Sequence, residues 1–222
     1  MDLGGGRAAF ILTALIVVGW FALGTLLNIR RGNRLLRWFQ PGMTLLGERT
    51  TLRWLGSSGV ELKVQHALPP LKSAEVFVLL EPRDLPLLWW LFRARGRRDL
   101  LIVRAELRAA PRFELEALHP RAWSTRGVAR ALEGDRWTPA PVPSGSPLVA
   151  YQRGGGPGGA GGGRGDTAPE MLAGVALGKL PLVRLAVRRT TPNLEMQWEV
   201  RGLDRAESHD VVEAFRRLAQ RL

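Results

Sequence analysis

Twenty-two consecutive residues without a charge, Ala8 to Ile29 (AAFILTALIVVGWFALGTLLNI), constrain this chain more than any other feature. At a helical rise of about 1.5 Å per residue, about 20 such residues cross the roughly 30 Å hydrocarbon layer of a bilayer. The run has no polar face, which a helix resting on a globular core would show. A cleaved secretory signal is the rival reading, with Ala22-Leu23-Gly24 as its small-residue site. The run is longer than a signal core and continues past that site into Leu26 and Leu27. The expectation is a single transmembrane helix. It lacks a clear Gly-xxx-Gly pair, so it gives no dimer signal.

Arg30, Arg31, Arg34 and Arg37 follow at once, whereas the amino-terminal flank offers only Asp2 and Arg7. The positive-inside bias then sets the amino terminus outside a cell membrane and the carboxyl-terminal region in the cytoplasm. Charge matters here because it is clustered. The formal net charge is +12, with 29 arginines and 3 lysines. Residues 28 to 50 hold five arginines and one glutamate, and residues 84 to 110 hold six arginines against three acids. Basic residues beside a bilayer gain about 1 kcal/mol each from anionic lipid. The anionic inner leaflet is therefore the first expected partner.

Behind the span, NRLLRWFQPG (33 to 42) is amphipathic. Trp38 and Phe39 are expected at the membrane interface, with Arg30, Arg31, Arg34 and Arg37 at the headgroups. A second interface candidate is LPLLWWLFRARGRR, residues 85 to 98. Leu85 to Phe92 is too short to span a bilayer. It is either a core segment or a wedge in which Trp89 and Trp90 sit at headgroup depth while Arg93, Arg95, Arg97 and Arg98 meet lipid phosphate.

The rest reads as mainly antiparallel sheet with short helices, an α+β pattern. RTTLRWL and VELKVQH flank Gly56-Ser57-Ser58-Gly59 and predict a hairpin. EVFVLLEP is a continuous apolar run and predicts a central strand. DLLIVRAEL and RFELEAL predict two more strands, and STRGVARALEG a short helix with Ser124 as its N-cap. The tail predicts strands at LVRLAVRR and NLEMQWEV. A closing amphipathic helix follows, with Val211, Phe215, Leu218 and Leu222 on one face and Asp210 and Glu213 as a capping pair. In the tail hairpin, a loop at Thr190 to Asn193 sets Arg188 opposite Glu195 and Arg184 opposite Glu199. VRAELRAAPRFELEAL (103 to 118) echoes RLAVRRTTPNLEMQWE (184 to 199) at an offset of 81 residues. Two generic hairpins account for this echo as well as a duplication does.

Five segments result: 1–29, tail and transmembrane helix; 30–43, basic juxtamembrane segment; 44–137, an α+β lobe; 138–167, a Pro/Gly-rich flexible linker; and 168–222, a second hairpin plus helix packed on the first lobe.

Motifs for chemistry are missing. With no cysteine there is no disulfide scaffold, thiol nucleophile or thiolate metal site. His66, His119 and His209 form no zinc grouping, and no serine elbow is present. GVALGKL has three residues between its glycines where a phosphate loop needs four, and Leu180 where Ser or Thr would hold magnesium. Glu114 and Glu116 share a strand face, expected to be solvated beside Arg104 and Arg108. No cofactor, metal or catalytic residue is expected. The favoured class is a membrane-apposed interaction or scaffold module with an unidentified protein partner. The alternatives are a tethered nucleic-acid binder using Trp54, Trp89, Trp90, Trp123 and Trp137, or a membrane enzyme without a recognisable motif.

Overall fold

The computed structural model describes residues 3–133, 137–154, 170–173, 181–201 and 206–222. Its first element, α1 (Leu3–Met43), is one unbroken helix of 41 residues, about 60 Å long. The apolar run and the basic segment behind it are thus a single rod. Residues 30–43 do not form a separate interfacial helix. Pro41 falls in the last turn of α1, where its ring sits near the end of the hydrogen-bond ladder.

Strands follow: β1 (Gly47–Trp54), β2 (Gly59–Ala67) and β3 (Leu71–Leu79). After these come a short helix α2 (Pro86–Ala94), then β4 (Leu100–Leu107) and β5 (Glu114–Leu118). A 3-10 turn (Trp123–Thr125) leads into α3 (Arg126–Glu133). Then come β6 (Thr138–Ala140), β7 (Val149–Arg153), β8 (Leu182–Val187), β9 (Leu194–Glu199) and the closing helix α4 (Ser208–Arg221). The nine strands make one sheet in the order β1-β2-β3-β4-β9-β8-β5-β7-β6, and every neighbouring pair is antiparallel. The fold is α+β, as the alternation of apolar residues implied.

The β8–β9 hairpin lies between β4 and β5. The two halves of the 81-residue echo are therefore not two separate hairpins. The second is inserted between the arms of the first, in a Greek-key order. Residues 138–153, expected within a flexible linker, supply β6 and β7 at one sheet edge. Alternating Leu148, Ala150 and Gln152 had enough apolar pattern to pair with β5. The glycine tract 155–169 and GVALGKL (174–180) lie outside the described residues.

Alternation assigns the two sheet faces. Leu101, Val103 and Ala105 of β4, Met196 and Trp198 of β9, and Leu185 and Val187 of β8 face the main core. The second half of α1 and all of α4 cover that face together, through Leu35, Phe39, Val211, Val212 and Phe215. Burying each such side chain stabilises the fold by about 1.5–3 kcal/mol. Trp38 donates its indole N–H to the Ala206 carbonyl at 2.9 Å, tying α1 to the entry of α4.

Three local expectations shift. The 3-10 turn precedes α3, and Thr125, not Ser124, bonds back to the His119 carbonyl at 2.6 Å. Glu207 stands at the cap of α4 and makes no side-chain cap bond, so Asp210 lies inside the first turn. The β8–β9 register pairs Ala186 with Glu195 and Arg184 with Gln197. That differs by two residues from the expected pairing, which keeps every side chain on its face.

Candidate functional site

One face of α1 is buried from end to end of its second half: Gly24, Asn28, Gly32, Leu35, Phe39 and Gly42. The spacing is three or four residues throughout, a seam along one helix face. Its glycines are places of close approach. A Cβ on Gly24 would lie 2.3 Å from the Arg83 carbonyl oxygen, one on Gly32 2.6 Å from the Trp54 ring, and one on Gly42 2.8 Å from the Ser208 carbonyl oxygen. The domain is therefore docked along the helix as far up as Gly24, within the apolar run. Trp20 reaches the same corner and donates to the Arg83 carbonyl at 3.0 Å.

The corner holds a buried polar cluster. Asp99 is 2% exposed and accepts from the Glu81 amide at 2.8 Å, from Arg83 at 3.1 and 3.2 Å, and from Arg31. Asn28, fully buried on α1, accepts from Arg83 at 3.1 Å. Glu81, also buried, accepts from the Trp89 indole at 2.7 Å and from Arg93 at 3.2 Å. A buried carboxylate needs such partners, because removing one charge of a pair strands the other. The corner thus locks α1, the start of α2 and the start of β4 together.

Beside it opens a cleft of roughly 410 Å³. Arg31, Arg83, Arg93, Arg98 and Arg201 line it, against only two carboxylates, Glu81 and Asp99. Arg98 is held by the carbonyls of Arg93 and Arg97, at 3.0 and 2.7 Å. Arg201 reaches Glu199 at 2.6 Å.

α2 carries the adjacent Trp89 and Trp90 on a helix with no buried residue. Leu85 to Phe92 is therefore not core. Trp89 turns inward to Glu81, while Leu87 and Trp90 are 84% and 68% exposed. Leu85 and Leu91 are also exposed, as is Leu55 on the β1–β2 turn; that turn is held to the same corner by a 2.6 Å bond from Ser57 to Asp84. These exposed residues form the apolar rim of this corner.

The interface candidates divide accordingly. Trp90 is on the rim, and Trp89 supports it from behind. Arg93 and Arg98 line the cleft, joined by Arg31 from α1. Arg95 is exposed at the end of α2. Arg97 stacks over Phe92 and Trp123, at 5.0 and 5.2 Å from the ring centres. Burial lowers its pKa, with Glu81 and Asp99 opposing. Arg30, Arg34 and Arg37 are exposed on α1. Phe39 is 1% exposed and belongs to the core, and Trp38 is spent on Ala206. Phe39 is thus closed off from lipid, and Trp38 is half-buried. An amphipathic segment has the same period whether lipid or protein covers its apolar stripe, so sequence alone does not separate the two. The seam glycines and Arg83, Asp99 and Arg201 are not singled out by any motif. A row of Gly24, Asn28 and Gly32 at four-residue spacing is the one signal the sequence carries for them.

The far sheet face is not the solvated surface expected. Lys63, Glu75, Arg104, Glu195, Arg184 and Glu116 form a ladder of alternating charge across six strands. Glu116 is fully buried, held by Arg184 and by Arg188 at 3.2 Å. Glu114 meets Arg153 at 2.7 Å instead of Arg104 or Arg108, because β8 and β9 intervene. Of the five tryptophans of the nucleic-acid alternative, Trp54 packs on Gly32, Trp89 on Glu81, Trp123 on Phe92 and Trp137 under Arg153, while Trp90 is exposed. On α4, His209, Asp210 and Glu213 bring donor atoms within 4.8 Å of one another, the first two exposed and Glu213 half-buried. Arg217 already donates to Glu213 at 2.6 Å. That sets a guanidinium on a carboxylate a cation would need.

No protein-family model matches the chain, and no curated protein matches it.

Proposed function

We propose that this is a single-pass membrane protein whose α+β domain is pressed against the cytoplasmic surface of the bilayer, as a non-enzymatic interaction or scaffold module. One observation carries the reading. α1 is long and apolar enough to cross a membrane, yet the domain docks on it as high as Trp20 and Gly24. From Ala8 to Trp20 the helix covers only about 18 Å, against the roughly 30 Å of hydrocarbon. A span that begins near Ala8 must run on beside the Arg83 corner and α2. The exposed Leu87, Trp90 and Leu91 then lie at interfacial depth, where tryptophan is favoured. The four arginines after Ile29 support the cytoplasmic side.

The chain has no cysteine, so one introduced thiol can be labelled alone. With the full chain in vesicles, a fluorophore at Leu87→Cys is expected to be quenched by lipids carrying a nitroxide near the headgroup. The same label at Glu213→Cys on α4 is not. Equal, weak quenching at both positions overturns the apposition. A cytoplasm-dependent reporter fused after Leu222 tests the sidedness, and its inactivity overturns that part.

A further inference from the structure

We infer that the arginine cleft beside α1 binds the phosphate of an anionic membrane lipid. The charge count is the first observation. Five guanidinium groups line one cleft with two carboxylates. Those carboxylates are already consumed from inside the fold: Asp99 by Arg31, Arg83 and the Glu81 amide, Glu81 by Trp89 and Arg93. They orient the arginines and offset only part of their charge, and with Glu199 on Arg201 five guanidinium groups still face three carboxylates. Arg98 meets only carbonyl oxygens among the described residues. Like charges held together at one place destabilise the empty fold, and an anion relieves them.

Chemistry selects the anion. Planar guanidinium groups bind phosphate through paired, charge-assisted hydrogen bonds. Arg31 and Arg83 are pinned by buried Asp99, so they are pre-organised and lose little freedom on binding. The volume, roughly 410 Å³, exceeds that of a bare phosphate and leaves room for a headgroup. Position selects the source. Arg93 belongs to α2 and Arg98 follows it closely, behind the apolar rim, and Arg31 lies one turn past Asn28 on α1. This step rests on the membrane-apposed reading, in which that level is headgroup depth. A soluble phosphate ester shares the binding chemistry but not the placement.

The test uses the full chain in neutral maltoside micelles, where α2 needs no bilayer. Its failure is therefore distinct from a failure of the quenching experiment. Dioctanoyl phosphatidylglycerol is titrated and the melting temperature followed, with inorganic phosphate and sodium chloride as parallel arms at equal ionic strength. The lipid is expected to raise the melting temperature saturably where chloride does not. Arg98→Gln with Arg201→Gln is expected to weaken half-saturation about tenfold or more. Arg34→Gln with Arg37→Gln, which lie on α1 outside the cleft, leaves it unchanged. If the first pair melts lower without lipid, Arg201→Gln alone carries the comparison, since Arg201 is 62% exposed and among the described residues its side chain meets Glu199. Inorganic phosphate matching the lipid at equal concentration overturns the lipid assignment. No saturable shift with the lipid, or an equal loss in both pairs of variants, overturns the site.

Discussion

Gly24 lies so close to Arg83 that a Cβ on the helix would stand 2.3 Å from the Arg83 carbonyl oxygen. The neighbour is backbone and cannot swing aside. Gly24→Leu must therefore push the α2 corner off α1. A destabilisation of about 1–3 kcal/mol is expected, as for other overpacked sites. Gly19→Leu, where a Cβ would meet nothing within 4 Å, is expected to leave the melting temperature unchanged. Thermal unfolding of both variants in the same micelles makes the comparison.

Asp99 joins Arg31 and Arg83 in a buried group. Asp99→Ala removes the carboxylate shared by Arg31 and Arg83, leaving Arg83 with Asn28 and Glu81, and a loss of about 3 kcal/mol is expected. Adding Arg31→Met to that variant is expected to restore part of the loss. Denaturant midpoints of the two variants decide it.

Glu116 is fully buried between Arg184 and Arg188, at the inserted hairpin. Glu116→Gln is expected to cost about 3–5 kcal/mol. Glu213→Gln removes an exposed pair with Arg217 and is expected to change stability by no more than about 0.5 kcal/mol. Equal effects at the two sites would show that the ladder contributes no more than surface charge.

Burial pushes the Glu114 carboxyl upward in pKa, but bonds from Arg153 and the Arg189 amide, with both their charges, pull it further down; the net value lies below the ordinary 4.5. The folded pKa is depressed, so the stabilisation is complete above the unfolded value. It is lost as pH falls through 4.5 and then through the folded value. Glu114→Gln is expected to flatten this part of the acid limb. Unfolding midpoints measured from about pH 6 to about pH 3 would show no difference if the pairing is inert.

Much of the sheet was legible in the chain. Gly56-Ser57-Ser58-Gly59 marks a turn whose strands pair as Trp54 with Val60 and Leu52 with Leu62, because alternation and turn chemistry are local. The insertion of β8–β9 between β4 and β5 is not local, so the partners of Glu116 could not be read from its neighbours. Leu85 to Phe92 was ambiguous for another reason. Eight apolar residues fit a strand or a helix equally by period, and Pro86 at the first helical turn decides for α2. At the candidate site, the arginines of residues 93 to 98 stood out as a cluster. Arg31 and Arg201 gave no sign of converging on it, since 170 positions of sequence separate them.

The seam along α1 also leaves no place to cut. Where a linker separates a long apolar helix from its domain, trimming the helix leaves the domain's contacts intact. Here a cut after Ile29 would remove Gly24 and Asn28 and keep Arg31, Leu35 and Phe39 on a helix severed in mid-contact. Arg83 would lose its Asn28 acceptor and Trp20 its hold on the corner. Helix and sheet are one folding unit, so any tilt or rotation of α1 carries the domain with it, as a blade inherits the angle of its handle.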